Sequence, residues 1–197
     1  MAVSNNDYQE MSQKLKEMLN LDKSPVAVKL FKTEDEAKEN LSKVEPKTHC
    51  QHVFDTAMDE EFGYATLEEQ TCPRGAYALG LTEQEMKGAY KLDEKMGAVG
   101  YAPLEKATFV PDAILIYGIP LQTLTVAQKY MNKCYNRFKA DFSGKQSLCA
   151  DAVSIPYKTG ESNITFGCRG SRGFTDIKPE EMIISLTLND AQAIIND

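Results

Sequence analysis

The 197-residue sequence lacks the features that mark several large classes of protein. It contains no run approaching the roughly 20 apolar residues that span a bilayer. Its first residues lack the basic and then apolar regions of a signal peptide. The formal charge of −7, with only four arginines in the chain, argues against general nucleic-acid binding. We therefore expect a cytoplasmic protein that binds neither membrane nor nucleic acid.

Several recognisable site motifs are also missing. No Cys-x-x-Cys pair occurs, which removes the main signal for thioredoxin-like redox motifs and zinc ribbons. The closely spaced cysteine run of bacterial ferredoxins is absent, and so are a P-loop and a dinucleotide fingerprint. No Ser-His-Asp or paired-carboxylate constellation can be identified. The cysteine count is odd, and structural disulfides are uncommon in a reducing compartment, which disfavours a disulfide framework.

The composition predicts one domain over residues 1–197, with 42% hydrophobic and 26% charged residues. Strands and helices intermix without a regular strand–helix alternation, which predicts an α+β fold with a mixed sheet packed against helices. Strands are expected at 25–31, 62–67, 113–118, 163–167 and 181–188. Helices are expected at 8–20, 32–43, 50–60, 76–81, 121–138, around Cys149 and at 189–195. Residues 83–100 are expected to form a helix and an exposed loop.

A coarse internal symmetry suggests two similar halves, at residues 21–100 and 108–188. Each half has an apolar strand, then a cysteine in a helix, then a strand that leads to a cysteine beside glycine and arginine. The separations between the two cysteines of each half are similar. No residue-level similarity accompanies the pattern, so it suggests rather than establishes a duplication.

Three of the five cysteines stand in segments that also carry cations and glycine. Cys72 is followed by Arg74 and Gly75, Cys149 follows Gly144 and Lys145, and Cys168 lies in the segment Gly167–Gly173 with Arg169 and Arg172. A fixed positive charge stabilises a thiolate, which is the form that attacks electrophiles and binds metals. The pattern indicates a site built to hold sulfur anions, or an anion beside sulfur.

Four cysteines in four separate segments could supply the ligands of a metal site. Four thiolates suffice for a [4Fe–4S] cluster or a tetrahedral zinc ion. The cations beside them would offset the negative charge of such a site, because thiolates otherwise repel one another. The candidate metal ligands are Cys50, Cys72, Cys149 and Cys168. These residues could instead be ordinary buried cysteines, and Cys134, on a helix with apolar neighbours, is expected to be a core residue.

The same segments allow an anion site. Glycines permit close approach of the backbone, and a hydroxyl with cations suits a phosphate or carboxylate. The candidate anion-binding residues are Lys145, Arg169, Ser171, Arg172 and Arg74. Cys168 is also a candidate nucleophile at an anion site. The two histidines, His49 and His52, flank Cys50. Either one of them is a metal ligand, or both are ordinary surface residues.

At these same segments the chain resembles the prokaryotic family DUF169, a domain of unknown function. The resemblance spans nearly the whole chain. Its stretches are Pro25–Lys29, Cys50, Thr71–Ala76 with Leu79–Leu81, Pro103–Ala107, Pro111–Asp112, Ser143–Lys145, Cys149–Ala152 and Gly167–Arg172. The family pattern places cysteines at positions 50, 72, 149 and 168 but not at 134. It often has a proline and a small residue where this chain has Pro73 and Arg74. The resemblance implies a four-cysteine set and brings no established reaction.

The leading hypothesis is therefore a cytoplasmic protein that binds an iron–sulfur cluster through the four cysteines and has a redox or electron-transfer role. Its partner would be a redox protein or a small anionic ligand. The alternatives are a structural zinc protein, a small-molecule anion-binding module with non-catalytic cysteines, and an enzyme with Cys168 as nucleophile. Whether the protein is an enzyme stays open at this point.

Overall fold

The computed structural model describes residues 5–196 of the chain. Six strands and eight α-helices, with one π-helix and one short 3₁₀ turn, make up its regular structure in this range. The elements are α1 (Asn5–Leu19), β1 (Val26–Phe31), α2 (Glu34–Lys38), α3 (His49–Ala57), β2 (Gly63–Ala65), α4 (Pro73–Ala78), β3 (Ala98–Pro103), the 3₁₀ turn (Leu104–Lys106), β4 (Ala113–Gly118), α5 (Pro120–Cys134), the π-helix (Ser147–Ser154), α6 (Ile155–Thr159), β5 (Asn163–Thr165), α7 (Arg169–Phe174), β6 (Met182–Leu186) and α8 (Leu188–Ile195).

The strands form one sheet in the order β2-β3-β1-β4-β6-β5. Each pair of neighbouring strands is antiparallel, so the α+β class is confirmed and the sheet is antiparallel rather than mixed. No helix in the described range is both long enough and apolar enough to cross a membrane.

The strand order has an internal symmetry. From the middle of the sheet outwards, the first half runs β1-β3-β2 and the second half runs β4-β6-β5. The two halves meet where β1 pairs with β4, with Val26 opposite Leu115. Each half therefore contributes its first strand to the centre and its second strand to an edge. The proposed duplication of 21–100 and 108–188 stays a prediction, and this shared order supports it.

Apolar side chains cover both faces of the sheet. Along β4, Leu115 and Tyr117 pack on one face and Ile114 and Ile116 on the other, as the alternation of a strand requires. The first face is covered by α3, α4 and the π-helix, and the second by α1, α5 and α8. Burial on both faces explains why residues 113–118 read as one continuous apolar run.

The largest difference from the sequence prediction is β3, which lies in the interior of the sheet between β1 and β2. Residues 83–100 were expected to be a helix and an exposed loop, but the chain enters a strand at Ala98. The strand is rich in glycine and alanine, which have low strand propensity. Small residues are needed here, because a Cβ at Gly100 would lie 2.7 Å from the Phe31 ring. Tertiary packing therefore selects a strand that propensity does not indicate.

Two helix predictions also change in length. The helix expected at 32–43 is confined to α2, and the helix expected at 121–138 ends at Cys134. At the C-terminal end of α5, Tyr135 adopts a left-handed conformation with φ of 52°. Cys134, expected in the core, is half-buried, and Val126 is the buried residue of its helix.

The turn into β3 provides a test of this packing. A Cβ at Gly97 would lie 2.6 Å from both Thr33 Cα and Glu34 N, which are backbone atoms that cannot move aside cheaply. We expect Gly97→Ala to lower the free energy of unfolding by about 1–3 kcal/mol. The matched control is Gly173→Ala, because no other group lies within 4 Å of a Cβ at that helical position. Urea denaturation of both variants measures the difference; equal stabilities would contradict the packing described for Gly97.

Candidate functional site

Four cysteines from four separate segments converge on one cavity of about 450 Å³. Cys50 and Cys149 are buried, with 6% and 3% of their surface exposed, and Cys72 and Cys168 are half-buried. Cys134 is not among the residues that line this cavity. The structure thus brings together all four members of the set that the sequence singled out.

Cys50 is held by the first turn of α3. Thr48 is the N-cap of this helix and forms a capping box with Gln51. The cap fixes the start of the helix one residue before Cys50 and directs the buried side of the helix towards the sheet. Thr48 itself also lines the cavity.

Cys72 and Cys168 occupy equivalent positions in the two halves, each as the N-cap of a six-residue helix. The Cys72 side chain forms no capping hydrogen bond, and the backbone N–H groups of Gly75 and Arg74 only partly offset the rise in its pKa that burial causes. The Cys168 sulfur accepts hydrogen bonds from the backbone N–H groups of Ser171 and Gly170. Backbone donors of this kind favour a thiolate or a metal-bound sulfur over a neutral thiol.

Cys149 lies on the π-helix, whose eight residues are all buried. The chain enters this helix through Gln146, which has a left-handed φ of 54°. The Gln146 amide donates to the carbonyl of Arg74 at 2.8 Å, and its Oε1 accepts from the N–H of Tyr90 at 2.7 Å. These bonds tie the Cys149 segment to the Cys72 segment. This role of Gln146 is not predictable from the sequence, because both of its partners lie in distant segments of the chain.

Bare backbone allows the sulfurs to come close to one another. A Cβ at Gly75 would lie 3.2 Å from Cys149 Sγ and 3.7 Å from Cys72 Sγ. A Cβ at Gly170 would lie 3.6 Å from Cys168 Sγ. A side chain at Gly75 would crowd the space between the sulfurs of Cys72 and Cys149, whereas a Cβ at Gly170 would make an ordinary contact with Cys168.

The sulfurs differ strongly in their acid–base character. Hydrogen bonding to the Cys149 and Cys168 sulfurs, together with burial, raises the pKa of Cys50. The hydrogen bond from Cys50 and the N–H groups of α7 lower the pKa of Cys168 to about 5, although burial acts in the opposite direction. Burial raises the pKa of Cys72. These opposite directions make Cys168 the sulfur that ionises more readily than Cys50.

Three of the five candidate anion-binding residues line the cavity: Arg74, Lys145 and Arg169. The side chains of the other two, Arg172 and Ser171, form hydrogen bonds with backbone groups. The Arg172 guanidinium donates to four backbone carbonyls, those of Phe166, Lys178, Pro179 and Glu181. The Ser171 hydroxyl accepts from the N–H of Cys168 and donates to its carbonyl. Arg172 and Ser171 thus hold the loop rather than face the cavity, and the expected glycine-arginine loop is largely the short helix α7.

The two histidines are fully buried and do not line the cavity, so the surface-pair interpretation is wrong. His49 Nδ1 lies 2.9 Å from the Tyr101 hydroxyl, and His52 Nδ1 lies 2.5 Å from Glu61 Oε1. Burial, and then the proximity of His52, lowers the pKa of His49 to about 3, which keeps that ring neutral. Gln70 also donates to the Tyr101 hydroxyl, at 2.8 Å. This buried polar cluster was not predicted, because Tyr101 lies on the strand that the sequence pattern does not indicate.

Among residues 5–196, no three His, Cys, Asp or Glu side chains are already arranged around a point that would hold a single metal ion.

The thiolate character of Cys168 can be tested in the metal-free protein. Because its pKa is lowered to about 5, its alkylation by iodoacetamide should already be near its maximal rate at pH 6.5. Burial raises the pKa of Cys134, which serves as the internal control and should react faster only above pH 9. We expect Cys50→Ala to shift the Cys168 profile to higher pH, because the hydrogen bond from Cys50 is lost. Mass spectrometry of each cysteine peptide gives the rates, and identical profiles for Cys168 and Cys134 would contradict the arrangement.

Comparison with known proteins places the chain among uncharacterised relatives. The chain is 35% identical over 206 residues to the uncharacterized protein MJ0308 of Methanocaldococcus jannaschii, covering 91% of this chain and 88% of that protein. No solved structure gives a significant match. The family model of DUF169, described as an uncharacterised ArCR family, matches residues 14–96 and 83–197. The chain therefore belongs to the DUF169 family.

Proposed function

We propose that the four cysteines bind an iron–sulfur cluster and that the protein has a redox or electron-transfer role in a reducing, cytoplasmic compartment. The observation that carries the proposal is the convergence of Cys50, Cys72, Cys149 and Cys168 on one cavity from four separate segments. Cys134 lies outside it. A chain with five cysteines has no packing reason to gather four of them at one place, since buried cysteines otherwise behave as dispersed small hydrophobes.

The chemistry of the donors fits such a cluster. Two sulfurs are buried, and one of the two half-buried sulfurs, that of Cys168, accepts a backbone hydrogen bond from the first turn of a helix. Hydrogen bonds to the sulfurs, burial and nearby charge are the means by which proteins set the reduction potential of an iron–sulfur cluster. When bound, the cluster would supply one-electron transfer.

The protein's own residues would bind, orient and shield the group. The backbone donors of α7 would hold the Cys168 sulfur in the anionic form, and Gly75 leaves the space that the sulfurs need. The cations at the cavity would offset the negative charge of four thiolates. The buried face of α3 and the π-helix would exclude water from the Cys50 and Cys149 side.

The size of the cavity favours a cluster over a structural zinc ion. A zinc site draws its four sulfurs to about 2.3 Å from one metal atom. A space of about 450 Å³ with sulfurs on several walls suits a group of several atoms better. Zinc bound by the same four cysteines is the alternative that metal analysis distinguishes.

A specific observation also favours a second candidate, an enzyme that uses Cys168 as nucleophile. Its sulfur has a pKa lowered to about 5, is half-buried at a cavity, and accepts a hydrogen bond from a neighbouring thiol. These are the usual properties of a reactive cysteine. This candidate predicts that activity depends on Cys168 and survives replacement of Cys72, whereas a cluster needs both.

The deciding experiment compares aerobic and anaerobic purification of the full chain. The anaerobic protein should be brown, absorb broadly in the visible range and contain about four iron and four sulfide per chain. Cys72→Ser should lose most of the iron, because one ligand from four is removed. Cys134→Ser is the matched control and should keep its iron and its spectrum.

Three results of this experiment would contradict the iron–sulfur proposal. A colourless, iron-free anaerobic protein would overturn the iron–sulfur proposal. One zinc per chain without visible absorbance would support the structural zinc protein instead. Iron retained by Cys72→Ser but lost by Cys134→Ser would show that the ligand set is wrong.

A further inference from the structure

The cations at the cavity do not stabilise the fold through any hydrogen bond or ion pair of their side chains in the part of the chain that the structure describes. In the described range, no hydrogen bond or ion pair involves the side chains of Arg74, Lys145 or Arg169, and all three are exposed at the cavity. The chain has a net charge of −7, with 29 acidic and 22 basic residues, so acidic partners are not scarce. Other cations of the chain do find partners: Lys23 pairs with Glu181, and Lys47 with Asp55 and Glu61.

The three cations come from three different segments. Arg74 lies in the first turn of α4, Arg169 begins α7, and Lys145 lies just before the π-helix. The folding that gathers the cysteines therefore gathers one cation beside each of three sulfurs. Arg74 and Arg169 both lie in the first turn of a helix that begins after a cysteine, Arg74 two residues after Cys72 and Arg169 one residue after Cys168. The charges are thus part of the same arrangement as the sulfurs.

From these features we infer that the cavity binds a small carboxylate ligand beside the cysteines, an inference that rests on the proposed iron–sulfur function. Guanidinium groups bind carboxylates through two parallel hydrogen bonds, and Lys145 adds a third positive charge. The cavity of about 450 Å³ is too small for a polymer, and a cluster bound among the sulfurs would leave only the cation-lined part of it for a small ligand. Gly75, Gly144 and Gly170 leave backbone uncovered along its walls.

Charge selects the carboxylate among oxyanions. Four thiolates around a cluster leave net negative charge, which takes up part of the charge of the three cations. The remainder suits a singly charged group better than a doubly charged phosphate. Phe174, with 61% of its surface exposed, also lines the cavity and offers an apolar surface to the body of the ligand. Acetate and phenylacetate are therefore the probes, and phenylacetate should bind more tightly.

The test measures binding of acetate and phenylacetate to anaerobically purified protein by titration calorimetry, at constant ionic strength set with sodium chloride. Arg74→Gln and Arg169→Gln should each weaken binding about tenfold or more, because a charge-assisted hydrogen bond is lost. Arg137→Gln is the matched control, since Arg137 is exposed and lies away from the cavity. Phe174→Ala should reduce the preference for phenylacetate over acetate.

Three outcomes would overturn the inference. These are no binding above the sodium chloride control, equal affinities for wild type and the two arginine variants, and tighter binding of inorganic phosphate than of either carboxylate. Iron and sulfide are measured on the same samples. Loss of iron in Cys72→Ser with carboxylate binding intact separates the two sites, and an iron-free wild type that still binds phenylacetate would refute the cluster while leaving the carboxylate site standing.

Discussion

The antiparallel pairing of β1 with β4 is the constraint on which the rest of the structure depends. It joins the two halves through Val26–Val28 and Ala113–Leu115, and it places α3, α4 and the π-helix on the same face of the sheet. Cys50 and Cys72 come from one half and Cys149 and Cys168 from the other. The sulfurs can meet only because this central pairing turns the two halves towards each other. Any function that uses all four cysteines is therefore a function of the assembled sheet.

The four cysteines of the cavity fall into two pairs that differ in burial. The helical cysteines of the two halves, Cys50 and Cys149, are buried and supply the closed side of the cavity. The N-cap cysteines, Cys72 and Cys168, are half-buried and lie on the open side, where the Cys168 sulfur accepts a backbone hydrogen bond. The uncommitted cations lie on that open side as well. Solvent exposure therefore increases from the two buried cysteines to the two half-buried cysteines and the exposed cations. Such an arrangement suits a group that would exchange electrons at the open side of the cavity.

Much of this arrangement was readable in the sequence. The cysteines beside cations, together with Cys50, predicted the set that the fold assembles, and apolar periodicity predicted five of the six strands. The sixth, β3, was missed because Gly97, Gly100 and its alanines are chosen for close packing rather than for strand propensity. Arg172 was a candidate for anion binding because of its charge, and the sequence does not show the four carbonyls that its guanidinium contacts. The burial of His49 and His52 could not be predicted either, because both rings contact Tyr101, which lies on the missed strand β3.

The central claim is that the four sulfurs share one iron-containing group. Crystals of the chain grown without oxygen, with diffraction recorded above and below the iron absorption edge, test it most directly. The account predicts one anomalous iron peak in the cavity, within bonding distance of the sulfurs of Cys50, Cys72, Cys149 and Cys168. Crystals of protein with confirmed iron content that show the peak elsewhere, or the four sulfurs free of metal, would contradict it.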